Sequence, residues 1–210
     1  MSEAVAIRVL EQCADWVVCI KPVGLDSEHA LPDLLRQQLG GDLFPVHRLD
    51  RAVGGIMLFA RTSRAAAVIS ADIQAGRLVK EYVLQCHGAL PSSEGRMEDL
   101  LWKDSRKNKV FVVSRLRKGV RPALLRYRVL SSPEEDRTLV LVRLETGRSH
   151  QIRVQFASRR CPLWGDHLYG AKDREKNPLL FSCGITFPWQ GQLRSFRFLP
   201  DWAPDIPDEG

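Results

Sequence analysis

The feature that most limits the fold of this chain is its series of short apolar segments separated by turn-forming residues. Several segments have the β-branched and aromatic content typical of strands: 16–21, 55–61, 78–87, 110–115, 123–130, 139–145, 179–187 and 195–199. Helical patterns are fewer. This balance predicts the α+β class, with a mixed, largely antiparallel sheet flanked by helices and loops.

Three segments favour helices. Pro32 suits the first turn of a helix through 39 that the glycines at 40 and 41 would end. Thr62 or Ser63 can cap an Ala-rich helix running to about 75, before a glycine at 76. Residues 149–159 fit both strand alternation and helical spacing; we favour a helix, which Ser149 could cap.

The polar stretch 88–109 contains Pro91, Gly95 and a basic cluster, so we expect surface loops there. No repeat and no Gly/Ser linker divides the chain, which predicts a single domain over 1–210, and we expect a monomer. No apolar run approaches the roughly 18–20 residues of a membrane span, and the N-terminus lacks the pattern of a secretory signal. Five scattered cysteines predict free thiols in a reducing compartment, the cytoplasm.

The charge of the chain points to a polyanionic partner. There are 31 Lys and Arg residues against 25 acids, a net charge of +6. Bases gather at 103–109 and 115–128, whereas acids gather in the C-terminal tail, so the body of the protein is more basic than the total. This distribution is typical of proteins that bind nucleic acid.

The most informative segment is 46–55, with sequence VHRLDRAVGG. It sets Asp50 between Arg48 and Arg51 and ahead of two glycines, in a link between predicted strands. An ordinary turn explains the pattern equally well, with Asp50 exposed and the glycines supplying positive φ. In either case the neighbouring arginines favour the ionised form of Asp50.

Three further motifs carry polar groups. Residues 144–154, LETGRSHQIRV, concentrate hydrogen-bond donors, and on a helix His150 and Arg153 would share a face. A solvated helix start is the alternative there. Residues 80–82, KEY, place Tyr82 in an alternating strand, where a tyrosine more commonly packs in the core. Residues 164–170, WGDHLYG, predict a turn by their glycines.

Taken in order, these motifs resemble those of the RluA-type pseudouridine synthases. The resemblance rests on 47–51 (HRLDR), 80–82 (KEY), 146–154 (TGRSHQIRV) and 165–170 (GDHLYG), with Lys21-Pro22 and Gly24-Leu25 adding to it. It spans roughly 16–188. It implies a mainly antiparallel sheet around a central RNA-binding cleft, a uridine in structured RNA (rRNA or tRNA) as substrate, and neither metal nor organic cofactor.

The resemblance also implies roles for individual residues. Asp50 matches the family's essential carboxylate, and Tyr82 matches a tyrosine that lies against the target base and can move a proton. Arg153 matches a basic residue that ion-pairs with the catalytic aspartate, and Arg48 one that enters the RNA where the base has left. Other basic side chains of these motifs are expected to bind RNA: Arg51, Lys80, Arg148 and His150.

The chain departs from the family pattern at several positions. Val53-Gly54 replaces the usual Thr-Ser, Gln155 replaces a common His, and Ser182-Cys183 stands where His-Ala is frequent. We expect no separate N-terminal RNA-binding module, so RNA selection would rest on the catalytic domain.

Two other functions are compatible with parts of the pattern. A non-catalytic RNA-binding protein that kept the fold would share the charge but would not need Asp50, Tyr82 and Arg153 together. A metal-dependent nuclease using His47, Asp50 and His150 is less well supported, because such sites usually gather several carboxylates.

Overall fold

The computed structural model describes residues 6–134 and 136–203. Its helices are α1 (Ala30–Leu39), α2 (Ser63–Gln74) and α3 (Gln151–Ser158), with a 3-10 helix at His167–Tyr169. The strands are β1 (Val9–Gln12), β2 (Trp16–Lys21), β3 (Phe44–Pro45), β4 (Gly54–Ala60), β5 (Val79–His87), β6 (Glu94–Asp104), β7 (Lys109–Val113), β8 (Val120–Glu134), β9 (Arg137–Leu144), β10 (Leu180–Trp189) and β11 (Gln192–Arg197). The fold is α+β with a largely antiparallel sheet, which confirms the predicted class.

The chain forms two compact units. The first contains residues 6–80 together with Ser182–Phe198, and the second contains Glu81–Phe181 and residues 199–203. The chain therefore passes from one unit to the other within β5 and returns within β10.

In the first unit, β2 pairs antiparallel with both β1 and β4, and β10 pairs with β11. Trp16 lies at the centre of its core, edge-on to Phe187 and Phe196 at ring-centroid distances of 5.5 and 5.8 Å. Thr62 accepts a hydrogen bond from the Ala65 amide at 3.1 Å, so Thr62 rather than Ser63 caps α2.

In the second unit, antiparallel pairing runs in the order β7, β6, β8, β9. The core beneath these strands includes Leu101, Val110 and Ala123, and Val154 of α3 packs into it. The helix predicted over 149–159 is confirmed as α3. The prediction that Ser149 caps this helix is wrong, however. The N-cap is His150, at φ +50°, and it makes no side-chain capping bond.

The prediction of loops over 88–109 is also wrong, because β6 occupies Glu94–Asp104. Glu94, Arg96 and Glu98 lie on the exposed face, while Met97 and Leu101 alternate with them and are buried. Asp99 lies on the same face as Met97 and Leu101 and is half-buried. Each residue from 94 to 102 pairs with a partner on β8, so tertiary pairing overrides the polar local sequence.

No helix in the described ranges is long and apolar enough to cross a membrane.

Candidate active site

Asp50 lies in the turn that joins β3 to β4. The Oγ of Ser27, which is buried, donates to the carbonyl of Leu49 at 2.9 Å and accepts from its amide at 3.3 Å. The amide of Val53 donates to the carbonyl of Asp50 at 2.9 Å and closes the turn. Main-chain bonds therefore fix both sides of Asp50, whose side chain is half-buried.

Lys21, at the end of β2, holds the same turn from beneath. Its side chain is fully buried, and Nζ donates to the carbonyls of Pro22 at 2.9 Å, Leu25 at 2.8 Å and Arg51 at 3.3 Å. The last of these carbonyls belongs to the residue after Asp50. A buried ammonium thus ties the turn to the segment that follows β2.

The charge of Lys21 is coupled to that of Asp50. Burial lowers the pKa of Lys21 to about 8, even though the negative charges of Asp26 and Asp50 act to raise it, and Arg51 lowers it further. Most Lys21 side chains therefore keep their proton at neutral pH. This places a positive charge near Asp50 from within the protein.

Gly55 allows β4 to lie against β10. Its φ is +126°, and a Cβ at this position would overlap the backbone of Ser182. The departures from the family pattern fit this arrangement: Val53 closes the turn through its main chain alone, and Ser182 donates from Oγ to the carbonyl of Ile56 at 3.2 Å.

The two arginines of the turn are exposed and have different local partners. Arg48 pairs with Glu28 at 2.7 Å. Arg51 donates from Nε to the carbonyl of Gly24 at 2.7 Å, and the Gly24 amide returns a bond to the Arg51 carbonyl at 2.8 Å. The 21–25 segment and the 47–51 motif are thereby joined into one structure.

His47 and Lys80 have lowered pKa values in the first unit. The Leu58 amide donates to Nε2 of His47 at 3.0 Å, which places the ring proton on the buried Nδ1. Burial, and then the charge of Lys80, lower the pKa of His47 to about 3. Burial likewise lowers the pKa of Lys80. His47 is therefore a neutral structural residue whose Nε2 is already used, which argues against its service as a metal ligand.

In the second unit, the 146–154 motif forms a turn pinned to β8. Thr146 Oγ1 accepts from the Leu124 amide at 2.9 Å and donates to Oε1 of Gln151 at 2.8 Å. Gln151 Nε2 donates to the Leu124 carbonyl at 3.0 Å, and Arg148 donates from Nε to the carbonyl of Pro122 at 3.0 Å. These bonds fix the residue at which α3 begins and the orientation of its first turn.

Arg153 is buried on α3 and forms a bidentate ion pair with buried Asp166. Nε and Nη2 lie 2.7 Å from Oδ2 and Oδ1 respectively. The ring of Tyr169 lies 5.2 Å from the Arg153 guanidinium carbon, and its hydroxyl lies 3.0 Å from Nδ1 of His150. The Val110 amide donates to that hydroxyl at 2.9 Å. The 165–170 motif thus supports Arg153 and His150.

Asp166 and Tyr169 are site residues that the sequence interpretation missed. Their motif was interpreted as a turn, whereas its acid and its tyrosine contact the α3 motif. A signal for Asp166 was present in the sequence. A buried Arg needs a carboxylate partner, and the 165–170 motif, which follows the 146–154 motif in the family order, contains one.

Tyr82 is buried on β5 in the second unit.

Gln155, which replaces a common His, donates to Asp99 Oδ2 at 2.7 Å, and Arg159 donates to the same oxygen at 2.8 Å. The replacement therefore serves a polar network under β6.

The structure brings the predicted residues together in two groups. Arg48, Asp50 and Arg51 share one turn, and His150 and Arg153 share the Asp166–Tyr169 cluster. The pairing of Arg153 with Asp50 stays a prediction, as do the catalytic and RNA-binding roles. In the described part of the chain, no three His, Cys, Asp or Glu side chains are grouped as a metal site would require.

Comparison with known proteins identifies the family. The family model described as RNA pseudouridylate synthase matches residues 15–158. The chain belongs to this family, as the motifs predicted.

Individual relatives agree with this assignment. An RNA pseudouridine synthase of Aquifex aeolicus, itself uncharacterized, is 35% identical over 209 residues, covering 89% of this chain and 65% of that protein. The ribosomal large subunit pseudouridine synthase D of Haemophilus influenzae is 33% identical over 129 residues, covering 61% of this chain and 38% of that protein. The chain spans about two fifths of the length of this relative and of the uncharacterized RNA pseudouridine synthase YhcT of Bacillus subtilis.

Solved structures show the same fold. Human RNA pseudouridylate synthase domain containing 1 superposes with a TM-score of 0.84 at 21% identity, covering 97% of this chain and 87% of that one. Human RNA pseudouridylate synthase domain containing 4 gives 0.77 at 24% identity, with 93% and 89% covered.

Proposed function

We propose that this protein is an RNA pseudouridine synthase that isomerises specific uridines in structured RNA, rRNA or tRNA, with Asp50 as its catalytic carboxylate. The observation that carries the proposal is the construction of the Asp50 turn inside the segment that matches the family. A buried Lys21, a buried Ser27 and the closing bond from Val53 all hold the main chain around one half-buried carboxylate.

The reaction explains why a single fixed carboxylate is needed. Pseudouridine formation breaks the N1–C1′ bond, turns the uracil, joins C5 to C1′ and then removes the C5 proton. Positive charge develops at C1′ when the first bond breaks. Asp50 can stabilise that charge, attack C1′ or take a sugar proton, as carboxylates of glycosidases act against a similar charge. The detached uracil takes the place that water has in a hydrolase.

Neighbouring groups place positive charge near Asp50. The ammonium of Lys21 lies close enough to couple to it electrostatically. Arg153, which Asp166 fixes in one orientation, is the proposed ion-pair partner of Asp50. Tyr82, or a water molecule, is the proposed acceptor of the C5 proton.

The target uridine must leave its stack to reach a carboxylate. Flipping a base costs a few kcal/mol, and less where the base is unpaired, so loops and bulges are the expected targets. Arg48 is proposed to fill the vacancy. To do so it must release Glu28, and breaking such an exposed pair costs only about 0–1 kcal/mol.

Four basic side chains of the motifs are proposed to contact RNA: Arg51, Lys80, Arg148 and His150. We further propose that the protein works as a monomer in the cytoplasm and needs no metal or organic cofactor. All five of its cysteines are free thiols, which supports a reducing compartment.

The direct test is tritium release from C5 of labelled uridine. Total RNA from cells that lack the protein should release tritium when the purified protein is added, and sites mapped in RNA from cells with and without the protein should coincide with the sites modified in vitro. A non-catalytic RNA-binding protein would bind the same RNA and release nothing.

A further inference from the structure

The second unit contains a continuous line of cationic and aromatic side chains that ends at Arg153. Each member lies within interaction distance of the next. From the outer end, Arg117 lies 5.6 Å from the Trp102 ring, Trp102 6.1 Å from Phe111, Lys109 5.8 Å from Phe111 and 5.4 Å from Tyr169, and Arg153 5.2 Å from Tyr169. We call these six residues the ring–cation line.

The hairpin of β6 and β7 builds the outer half of this line. Trp102 and Phe111 are directly opposite each other in the register, so their side chains share one face of the hairpin. Their sequence neighbours Leu101 and Val110 point to the other face and are buried in the core. The aromatic pair is therefore not required for that core, and Phe111 is 36% exposed.

The surroundings of the line are strongly basic. Residues 102–121 contain eight Lys or Arg side chains and one acid, Asp104. Leu116, in the loop after β7, is 71% exposed. A segment that combines an exposed ring, Phe111, and a half-buried ring, Trp102, with such an excess of cations suits a ligand that has both flat bases and negative charges.

The inner end of the line connects to the candidate site. Lys109 contacts the ring of Tyr169, whose hydroxyl accepts from Val110 on the same hairpin and lies 3.0 Å from His150. The same ring also contacts the guanidinium of Arg153. A ligand lying along the ring–cation line would therefore extend to the group that we assign to the reaction.

We propose that the ring–cation line binds the single-stranded stretch of substrate RNA next to the target uridine. Bases stack on Trp102 and Phe111, and phosphates lie against Lys109 and Arg117. The inference rests on the proposed function and deepens it: it assigns selection of unpaired flanking nucleotides to a hairpin face. The sequence of those nucleotides matters little, since every base has a stacking face.

The test separates stacking from charge. The probe is a fluorescently labelled stem-loop RNA whose loop contains only uridines. Trp102→Leu with Phe111→Leu keeps apolar bulk and removes the rings, and should weaken binding about tenfold with an unchanged salt slope. Trp102→Phe with Phe111→Tyr should bind within about twofold of wild type. Lys109→Gln should weaken binding and reduce the slope of log affinity against log salt by about one.

A matched control is available in the first unit. Leu193 is an apolar side chain of β11 that is 74% exposed, and Leu193→Ala should leave both affinity and salt slope unchanged. Each variant must show a cooperative melt like that of wild type. In the tritium-release assay, the rate of the leucine pair should fall further below the wild-type rate at low RNA concentration than at saturating RNA concentration.

Unchanged RNA affinity in the folded leucine pair overturns the proposal. A protein partner would then be the alternative ligand of this hairpin face. Equal losses in the leucine pair and in the ring-retaining pair also overturn it, because stacking would not be the cause. If RNA binding depends on the rings but wild-type protein releases no tritium, the proposed function fails and the binding surface stands.

Discussion

The ammonium of Lys21 donates a hydrogen bond to the carbonyl oxygen of Arg51, the residue that follows Asp50. Thirty positions separate the two residues in sequence. The main chain next to the proposed catalytic carboxylate is therefore held by a buried side chain at the end of β2. This bond gives a structural reason for Lys21-Pro22 to occur together with the 47–51 motif.

Replacing Lys21 with Met should impair both folding and catalysis. Methionine keeps the length of the side chain but leaves three carbonyls without their donor, so unfolding free energy should fall by roughly 1–3 kcal/mol. The single-turnover rate should fall by about tenfold or more, since small displacements of a reacting group are costly. Denaturant unfolding and tritium release measure the two effects. The exposed Lys172 provides the control Lys172→Met; a folded Lys21→Met protein with the wild-type rate would refute the positioning role.

Stability should fall on mild acidification because of His47. Burial and the charge of Lys80 lower its pKa to about 3 in the folded state, whereas an unfolded His has a pKa near 6.5. Between these values the unfolded chain binds more protons, so the free energy of unfolding decreases as pH falls from about 6.5 towards 3. At pH 5 this group should account for ~2 kcal/mol of lost stability.

Urea unfolding at pH 7 and pH 5 tests this expectation in wild type and in His47→Gln. The variant should be less stable at pH 7 but lose less on acidification. The exposed His29 supplies the comparison His29→Gln, which should keep the wild-type pH dependence. An identical pH dependence in His47→Gln and wild type would exclude His47 as the source.

A second acid-sensitive contact operates at lower pH. Burial alone would raise the pKa of Asp173, but hydrogen bonds from His87 and from the amides of Gly165 and Glu175 lower it to about 2. This stability is present above the ordinary pKa of about 4 and is lost as pH falls from there towards 2. Asp173→Asn should therefore destabilise the protein at pH 7 and flatten the loss below pH 4. A variant that unfolds with the same profile as wild type would contradict this.

The elements that sequence predicted correctly are those whose signals are local. Thr62 caps α2 as its residue type and spacing indicated, and β2 follows directly from its β-branched run. In contrast, β6 is polar along one face and is fixed by pairing with β8, which begins well after it in sequence. No local pattern could separate that strand from a loop.

The candidate site shows the same division. Asp50 and Arg153 lie in motifs whose order identifies the family, so they could be named in advance. The part of Lys21 could not, because its acceptors are main-chain carbonyls and carry no residue identity. Asp166 was visible as part of a motif, but its pairing with Arg153 depends on how the 165–170 turn folds onto α3.

Removing Arg153 should reduce catalysis more than RNA binding. Arg153→Ala also leaves Asp166 as an unpaired buried charge, so we expect a loss of roughly 3–5 kcal/mol in stability. Arg153→Ala with Asp166→Ala removes both charges and should recover part of that stability without recovering the rate. Single-turnover tritium release and RNA affinity, both measured below the melting range, test this. Matched losses of affinity with an unchanged rate would assign Arg153 to binding alone.

The replacement of Asp50 with Asn tests most directly whether this carboxylate is catalytic. Asparagine keeps the size and much of the hydrogen bonding of Asp50 but removes its charge and its nucleophile. RNA binding should persist, because one acid is removed from a basic surface, and an unchanged circular dichroism spectrum with a cooperative melt must show that the variant is folded. The measurement is single-turnover tritium release from C5-labelled uridine in total RNA from cells lacking the protein. Release is expected at the background rate, whereas release by folded Asp50→Asn within about tenfold of wild type, ~1.4 kcal/mol in activation free energy, would show that Asp50 is not the catalytic carboxylate.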